Sequence, residues 1–248
     1  MSLGFEINAE QQELKREVAE LAHKLRPRVD YWERKSAAPR ELFKEMGRRR
    51  WMGPIVPQEY GGMGRGTVEY SIISEELARA GLFGPQPTIQ AEKHLLASGT
   101  EAQKERYLPR LARGQWIAAI AISEPNVGSS FEAMETTAVR TDDTYLINGR
   151  KSHINFAADA ALILLYARTE KGLSIVIVER GTPGISFRKG DPIGRCNQPS
   201  VKRCTLLSPT ISRSQVCMKV LYSIAQRADI YSLWWVVIAA RLTTCQRT

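Results

Sequence analysis

The chain has 248 residues, 43% of them hydrophobic and 25% charged, which suits one large or two small globular domains with real cores. Its formal charge of +9 raises nucleic acid or an anionic surface as partners, but eight of the 35 basic residues and only one of the 26 acidic ones, Asp229, lie beyond Gly194, so the excess belongs to the tail and neither partner is expected. Residues 1–8 lack a basic start followed by an apolar run, and the longest apolar stretch, Leu233–Ala240, is far shorter than the roughly 20 residues a spanning helix needs; the expectation is a cytoplasmic protein with no membrane span.

Residues 8–25 predict an amphipathic helix, with Asn8 as N-cap, Gln11 three residues on, and Leu14, Val18, Leu21 and Leu25 along one stripe. A second helix begins near Pro39, turns Leu42, Phe43 and Met46 inward and stops at Gly53-Pro54, with Arg48-Arg49-Arg50 complementing the carbonyl end of its dipole. Helices over Thr67–Ala80 and Thr88–Ser98 follow, ended by Gly81 and Gly99. Thr100-Glu101-Ala102-Gln103 is a capping box for a further helix, anchored by Tyr107, Leu108 and Leu111 and closed by Gly114. His23 and His94 fall on these helices and read as structural.

From Trp116 the period changes. Short apolar runs at Trp116–Ile122, Thr136–Arg140, Thr144–Ile147, Ala161–Ala167, Leu173–Val178 and Ile185–Lys189 predict strands. Asp142-Asp143, Asn148-Gly149 and Gly181-Thr182-Pro183-Gly184 predict sharp reversals between them. The expected fold is α+β: a helical domain over 1–115 and an antiparallel, barrel-like β domain over 116–194. Residues 195–248 read as an atypical basic tail holding all four cysteines (Cys196, Cys204, Cys217 and Cys245), whose spacings suit neither disulfide nor metal. Loss of acidic residues there predicts a change of reading frame between Gly194 and Lys202. A genuine interaction segment around Trp234-Trp235 is the rival.

Two segments carry the chemistry. Ile122-Ser123-Glu124-Pro125-Asn126-Val127-Gly128-Ser129-Ser130 is a strand entering a hydroxyl-rich, glycine-containing loop, which suits an ordinary polar turn or a cradle of N–H and hydroxyl donors. Tyr145-Leu146-Ile147-Asn148-Gly149-Arg150-Lys151-Ser152-His153-Ile154-Asn155 would then open onto the same side of the sheet.

Together with Pro57-Gln58-Glu59-Tyr60-Gly61-Gly62-Met63-Gly64 and Gly99-Thr100-Glu101-Ala102-Gln103-Lys104-Glu105-Arg106-Tyr107-Leu108-Pro109, these motifs resemble, in order and spacing, those of the acyl-CoA dehydrogenase family. The resemblance covers residues 8–194. It implies FAD as cofactor, an acyl-CoA substrate, an electron-transfer flavoprotein or similar acceptor, and a homo-oligomer. Carried over by position, Ile120, Ile122 and Ser123 line the flavin ring, Gly128 and Ser129 meet the pyrophosphate or the acyl-CoA, and His153, Ile154 and Asn155 stand where the family has Trp-Ile-Thr. Imidazole covers less ring area than indole, and Ser130 replaces an acid of the family pattern. The family's catalytic glutamate lies in a carboxy-terminal bundle, and no glutamate follows Gly194, so no residue inherits that role by motif. Two functions remain open: the flavin-dependent α,β-dehydrogenation of a thioester, or a noncatalytic remnant that only binds.

Overall fold

The structure, a computed structural model, describes residues 6–35, 38–141, 144–189 and 204–208. Cys196, Cys217, Cys245, Trp234-Trp235 and the apolar stretch 233–240 lie outside them. Six helices open the chain: α1 (Ala9–Leu25), α2 (Val29–Lys35), α3 (Arg40–Arg48), α4 (Thr67–Arg79), α5 (Gln86–Ser98) and α6 (Glu101–Ala112). The caps expected at Asn8 and Thr100 are formed: each side chain accepts from the N–H three residues on, and Gln11 and Gln103 return the bond. Sequence reasoning passed over α2, a short helix that buries Trp32 but shows no stripe of its own. It also carried the helix begun near Pro39 too far: α3 ends at Arg48, and Arg50 takes a positive φ of 63°.

Seven strands follow among the described residues: β1 (Ala118–Ala121), β2 (Thr137–Thr141), β3 (Thr144–Ile154), β4 (Leu162–Thr169), β5 (Gly172–Glu179), β6 (Ser186–Lys189) and β7 (Cys204–Ser208). They form one curled sheet in the order β1-β4-β2-β3-β7-β6, with β5 on the other edge of β4. The α+β architecture is as expected, but the sheet is mixed. β1 runs parallel to β4, and β2 meets β4 in parallel at Thr137 and Arg168, while the remaining pairs are antiparallel. A parallel neighbour needs a long crossover, and the β2–β3 hairpin between β1 and β4 supplies it.

The second correction falls at Asn148-Gly149, where β3 runs straight through instead of turning. Gly149 has φ 155°, and a Cβ there would lie 2.4 Å from Thr136 Oγ1. Glycine serves close strand approach at this point, not a reversal.

Three clusters fill the molecule. One lies among α1, α3 and α4 and takes in Ile117 and Phe156 from the sheet domain. One joins α5 and α6 to the sheet face of Ala118, Leu162, Leu164, Ile175 and Ile177. The third, with Ala119, Ala121, Ile147, Ile154, Ile163, Leu165, Val176 and Val178, fills the inside of the curl. β4 and β5 are thus buried on both faces, which explains their unbroken apolar runs. Among the described residues no helix is long and apolar enough to cross a membrane.

Candidate functional site

β1 ends at Ala121, so Ile122 and Ser123 lie just past the strand rather than inside it. The chain then makes a tight turn in which Glu124 and Val127 exchange backbone hydrogen bonds of 2.8 and 3.2 Å, with Pro125 and Asn126 exposed at its tip. Gly128, Ser129 and Ser130 follow, all exposed, before a short 3-10 turn at Phe131–Ala133 leads into β2. Their three N–H groups have no partner among the described residues. A Cβ placed on Gly128 would meet nothing within 4 Å. The loop therefore presents unspent donors to open space, the arrangement that accepts an anionic group.

The second segment reaches the same place. Ser152 N–H donates to Ser123 O at 2.8 Å, which sets the end of β3 directly beside the exit of β1. The register of β3 shifts between Lys151 and Ile154, and His153 takes a left-handed φ of 59° there. A non-glycine residue in that conformation costs free energy that surrounding structure must offset. His153 is exposed, with Nδ1 3.0 Å from Ser152 Oγ. Asn155 is half-buried, whereas Ile154 packs into the interior of the curl and leaves only its main chain toward a ligand. Ile120 packs against the α5–α6 cluster, and Ile122 and Ser123 are half-buried. The Ser152–Ser123 bond thus sets Ser123 and the turn of His153 side by side, and the loop of Gly128 and Ser129 departs from the same exit of β1.

Several groups that sequence reasoning had not singled out hold this mouth in shape. Lys151 is fully buried, and its ammonium donates to Ile122 O at 2.9 Å and Glu124 Oε1 at 2.8 Å. The Glu124 carboxylate also accepts from the N–H groups of Glu135 (2.7 Å) and Thr136 (2.9 Å) and from the Thr136 hydroxyl. Burial pushes the Glu124 pKa up, but the bonds from Lys151 and Thr136 overcome it and hold the carboxyl at about 2. Burial lowers the Lys151 pKa, against the opposing pull of Glu124. At the far end of the loop, Arg168 donates to the carbonyls of Met134 (2.7 Å), Phe131 (3.5 Å) and Glu132. Phe131 stacks on Tyr166 at 6.0 Å, and the Tyr166 hydroxyl lies 3.1 Å from Nε2 of His94 on α5. Both histidines read from sequence as structural lie on helices, His94 buried and His23 exposed.

Glu124 is the acid nearest the mouth in sequence, and it is no candidate base. A carboxylate already capped by an ammonium, a hydroxyl and two N–H groups has a low proton affinity and no free approach.

Known proteins match both parts of the chain. Residues 8–115 match the acyl-CoA dehydrogenase N-terminal domain and residues 119–202 the acyl-CoA dehydrogenase middle domain. The second match passes the expected boundary at Gly194, and β7, which pairs with β3 and β6, comes from the segment assigned to the tail. Mitochondrial isovaleryl-CoA dehydrogenase of Pongo abelii is 35% identical over 197 residues, covering 74% of this chain and 47% of the relative. Acryloyl-CoA reductase (NADH) of Anaerotignum propionicum is 37% identical over 204 residues, covering 75% and 50%. The solved glutaryl-coenzyme A dehydrogenase in its glutaryl-CoA complex superposes with a TM-score of 0.76 at 28% identity, covering 88% of this chain and 58% of that one. The chain spans about half the length of the curated relatives it matches. On the match of both domains over most of its length, the chain belongs to the acyl-CoA dehydrogenase family.

Proposed function

We propose that this chain forms the FAD-binding half of an acyl-CoA oxidoreductase site, at the mouth where β1 and β3 end. The observation that carries the reading is the bond from Ser152 to Ser123, which sets the turn of His153 beside the exit of β1, from which the exposed loop of Gly128 to Ser130 departs. In this reading the loop amides and the Ser129 hydroxyl take the anionic pyrophosphate of the cofactor or the acyl-CoA. Ser123 bonds an edge of the flavin ring, and His153, Asn155 and the main chain of Ile154 cover its side. Bound FAD would accept a hydride from the β carbon of the thioester. The chain's own part is to hold the ring against the substrate and to shield that contact from water. An electron-transfer flavoprotein as acceptor, a homo-oligomer and a cytoplasmic setting belong to the same proposal. One relative is a dehydrogenase and another a reductase, so the half of the fold shared here serves thioester redox chemistry in either direction.

A second reading, binding without turnover, is favoured by one observation. The acid beside the mouth is locked by Lys151 and is no base for the α proton. Purified chain titrated with FAD separates the readings. Saturable binding with a visible band near about 450 nm, bleached by an acyl-CoA, supports turnover. Binding without bleaching supports the second reading. Failure to bind FAD at micromolar concentrations sinks both.

A further inference from the structure

A fully buried lysine is rare, because its ammonium must be desolvated and an apolar chain of similar volume would fill the space at less cost. Lys151 is such a residue, and among the described residues the side-chain hydrogen bonds of Lys151 and Glu124 join three segments: the exit of β1 (Ile122 and Glu124), the entry to β2 (Glu135 and Thr136), and the end of β3 (Lys151 itself). Those segments bound the loop that carries Gly128 and Ser129, and they meet the turn that carries His153. Within the loop, among the described residues, the Glu124–Val127 turn, the short turn at Phe131–Ala133, the stacking of Phe131 on Tyr166 and the Arg168 clamp on its last carbonyls restrain it. The two anchors grip the loop at its ends and leave the amides of residues 128 to 130 without a partner among the described residues.

We propose that Glu124 and Lys151 are positioning residues: their ion pair is a clip that sets the distance between the Ser123–His153 edge of the mouth and the anion-binding amides of Gly128, Ser129 and Ser130. The proposal rests on the flavin reading for its ligand, but the clip itself can be measured without one. Because the carboxylate bonds both ends of the loop at once, its removal frees the loop even where the core stays filled. An ion pair exchanged as a unit for apolar side chains of similar volume commonly leaves stability unchanged, whereas breaking it singly strands a buried charge.

The full chain carrying both Glu124→Met and Lys151→Met is therefore the informative variant. Its unfolding midpoint should stay near that of the parent, while amide hydrogen exchange at Glu135 and Thr136 speeds up and FAD binding weakens by about tenfold or more, as expected when a preorganised site loosens. Should the double variant fail to fold, Glu124→Asp replaces it. That change keeps the charge but shortens the reach, so it should speed the same two amides. Parent-like exchange in a folded variant overturns the clip, as does an unaltered FAD affinity. If the parent itself binds no FAD, the flavin reading fails, and the exchange at Glu135 and Thr136 still decides the clip.

Discussion

Glu92 sits in the middle of α5 with its side chain fully buried, and neither carboxyl oxygen has a hydrogen-bond partner among the described residues. Thr88, one turn earlier on the same helix, accepts on its hydroxyl oxygen from the Ala118 N–H at 3.1 Å, so this face of α5 is pressed against β1. Burial alone pushes the Glu92 pKa well above the usual carboxylate range. The sign follows from the raised value. Whatever stability the fold has with Glu92 protonated is fully present below the unfolded pKa and drains away as pH rises toward the folded one. Glu92→Met removes both the unpaired polar atoms and this drain. The variant should be more stable by about 1–3 kcal/mol, with the gain in urea unfolding larger at pH 8 than at pH 5. A gain independent of pH would mean that Glu92 finds a partner in solution. The opposite outcome is expected at Gly149, where Gly149→Ala drives a methyl into Thr136 and should cost on the order of 2 kcal/mol or more.

At the scale of elements, Phe156 joins the two halves. It leaves the end of β3 in a left-handed conformation, φ 58°, and meets Phe43 of α3 edge-on at 5.6 Å and Phe83, just before α5, at 5.4 Å. Asp159, in the turn that follows, accepts from Ala38 N–H and pairs with Arg40, both at 3.3 Å. Phe156→Ala should cost about 3–5 kcal/mol and lower the cooperativity of denaturant unfolding, whereas Phe156→Leu should lose less of both. The helices were legible because their signals are local: Asn8 and Thr100 cap within three residues, and Leu14, Val18 and Leu21 repeat at helical spacing. α2 was not, because seven residues with one buried tryptophan give no period to read. Asn148-Gly149 misled for a physical reason. A glycine required by close approach to Thr136 looks the same in sequence as one required by a turn. Parallel pairing of β1 with β4 rests on contacts 44 residues apart and has no local signature. The mouth was half legible: the loops of Ser129 and His153 announce themselves by residue type, but a lysine 27 residues from its glutamate reads as a surface cation until the fold buries it.

For the molecule as a whole, two buried ionisable groups set the response to acid, one where α5 meets the sheet and one behind the mouth. His94 of α5, bonded to Tyr166 of β4, has its pKa lowered to about 4 by burial and then by the neighbouring Lys93. Glu124, behind the mouth, is held at about 2. For His94 the neutral form is the folded one, so an unfolded chain binds a proton that the native chain refuses, and stability falls as pH drops from about 6.5 toward 4. For Glu124 the charged form is the folded one, and its contribution is lost below about 4.5, as pH falls toward 2. Acid should therefore weaken the chain in two stages, the α5–sheet contact first and the mouth second. His94→Gln, which keeps a hydrogen-bonding partner for the Tyr166 hydroxyl, should flatten the upper stage, worth at most about 3 kcal/mol, and leave the lower one. Glu124→Met with Lys151→Met should do the reverse. Denaturant unfolding measured at half-unit steps from pH 7 to pH 3 resolves the stages, and a single transition unaffected by His94→Gln would show that the α5 contact does not govern acid stability.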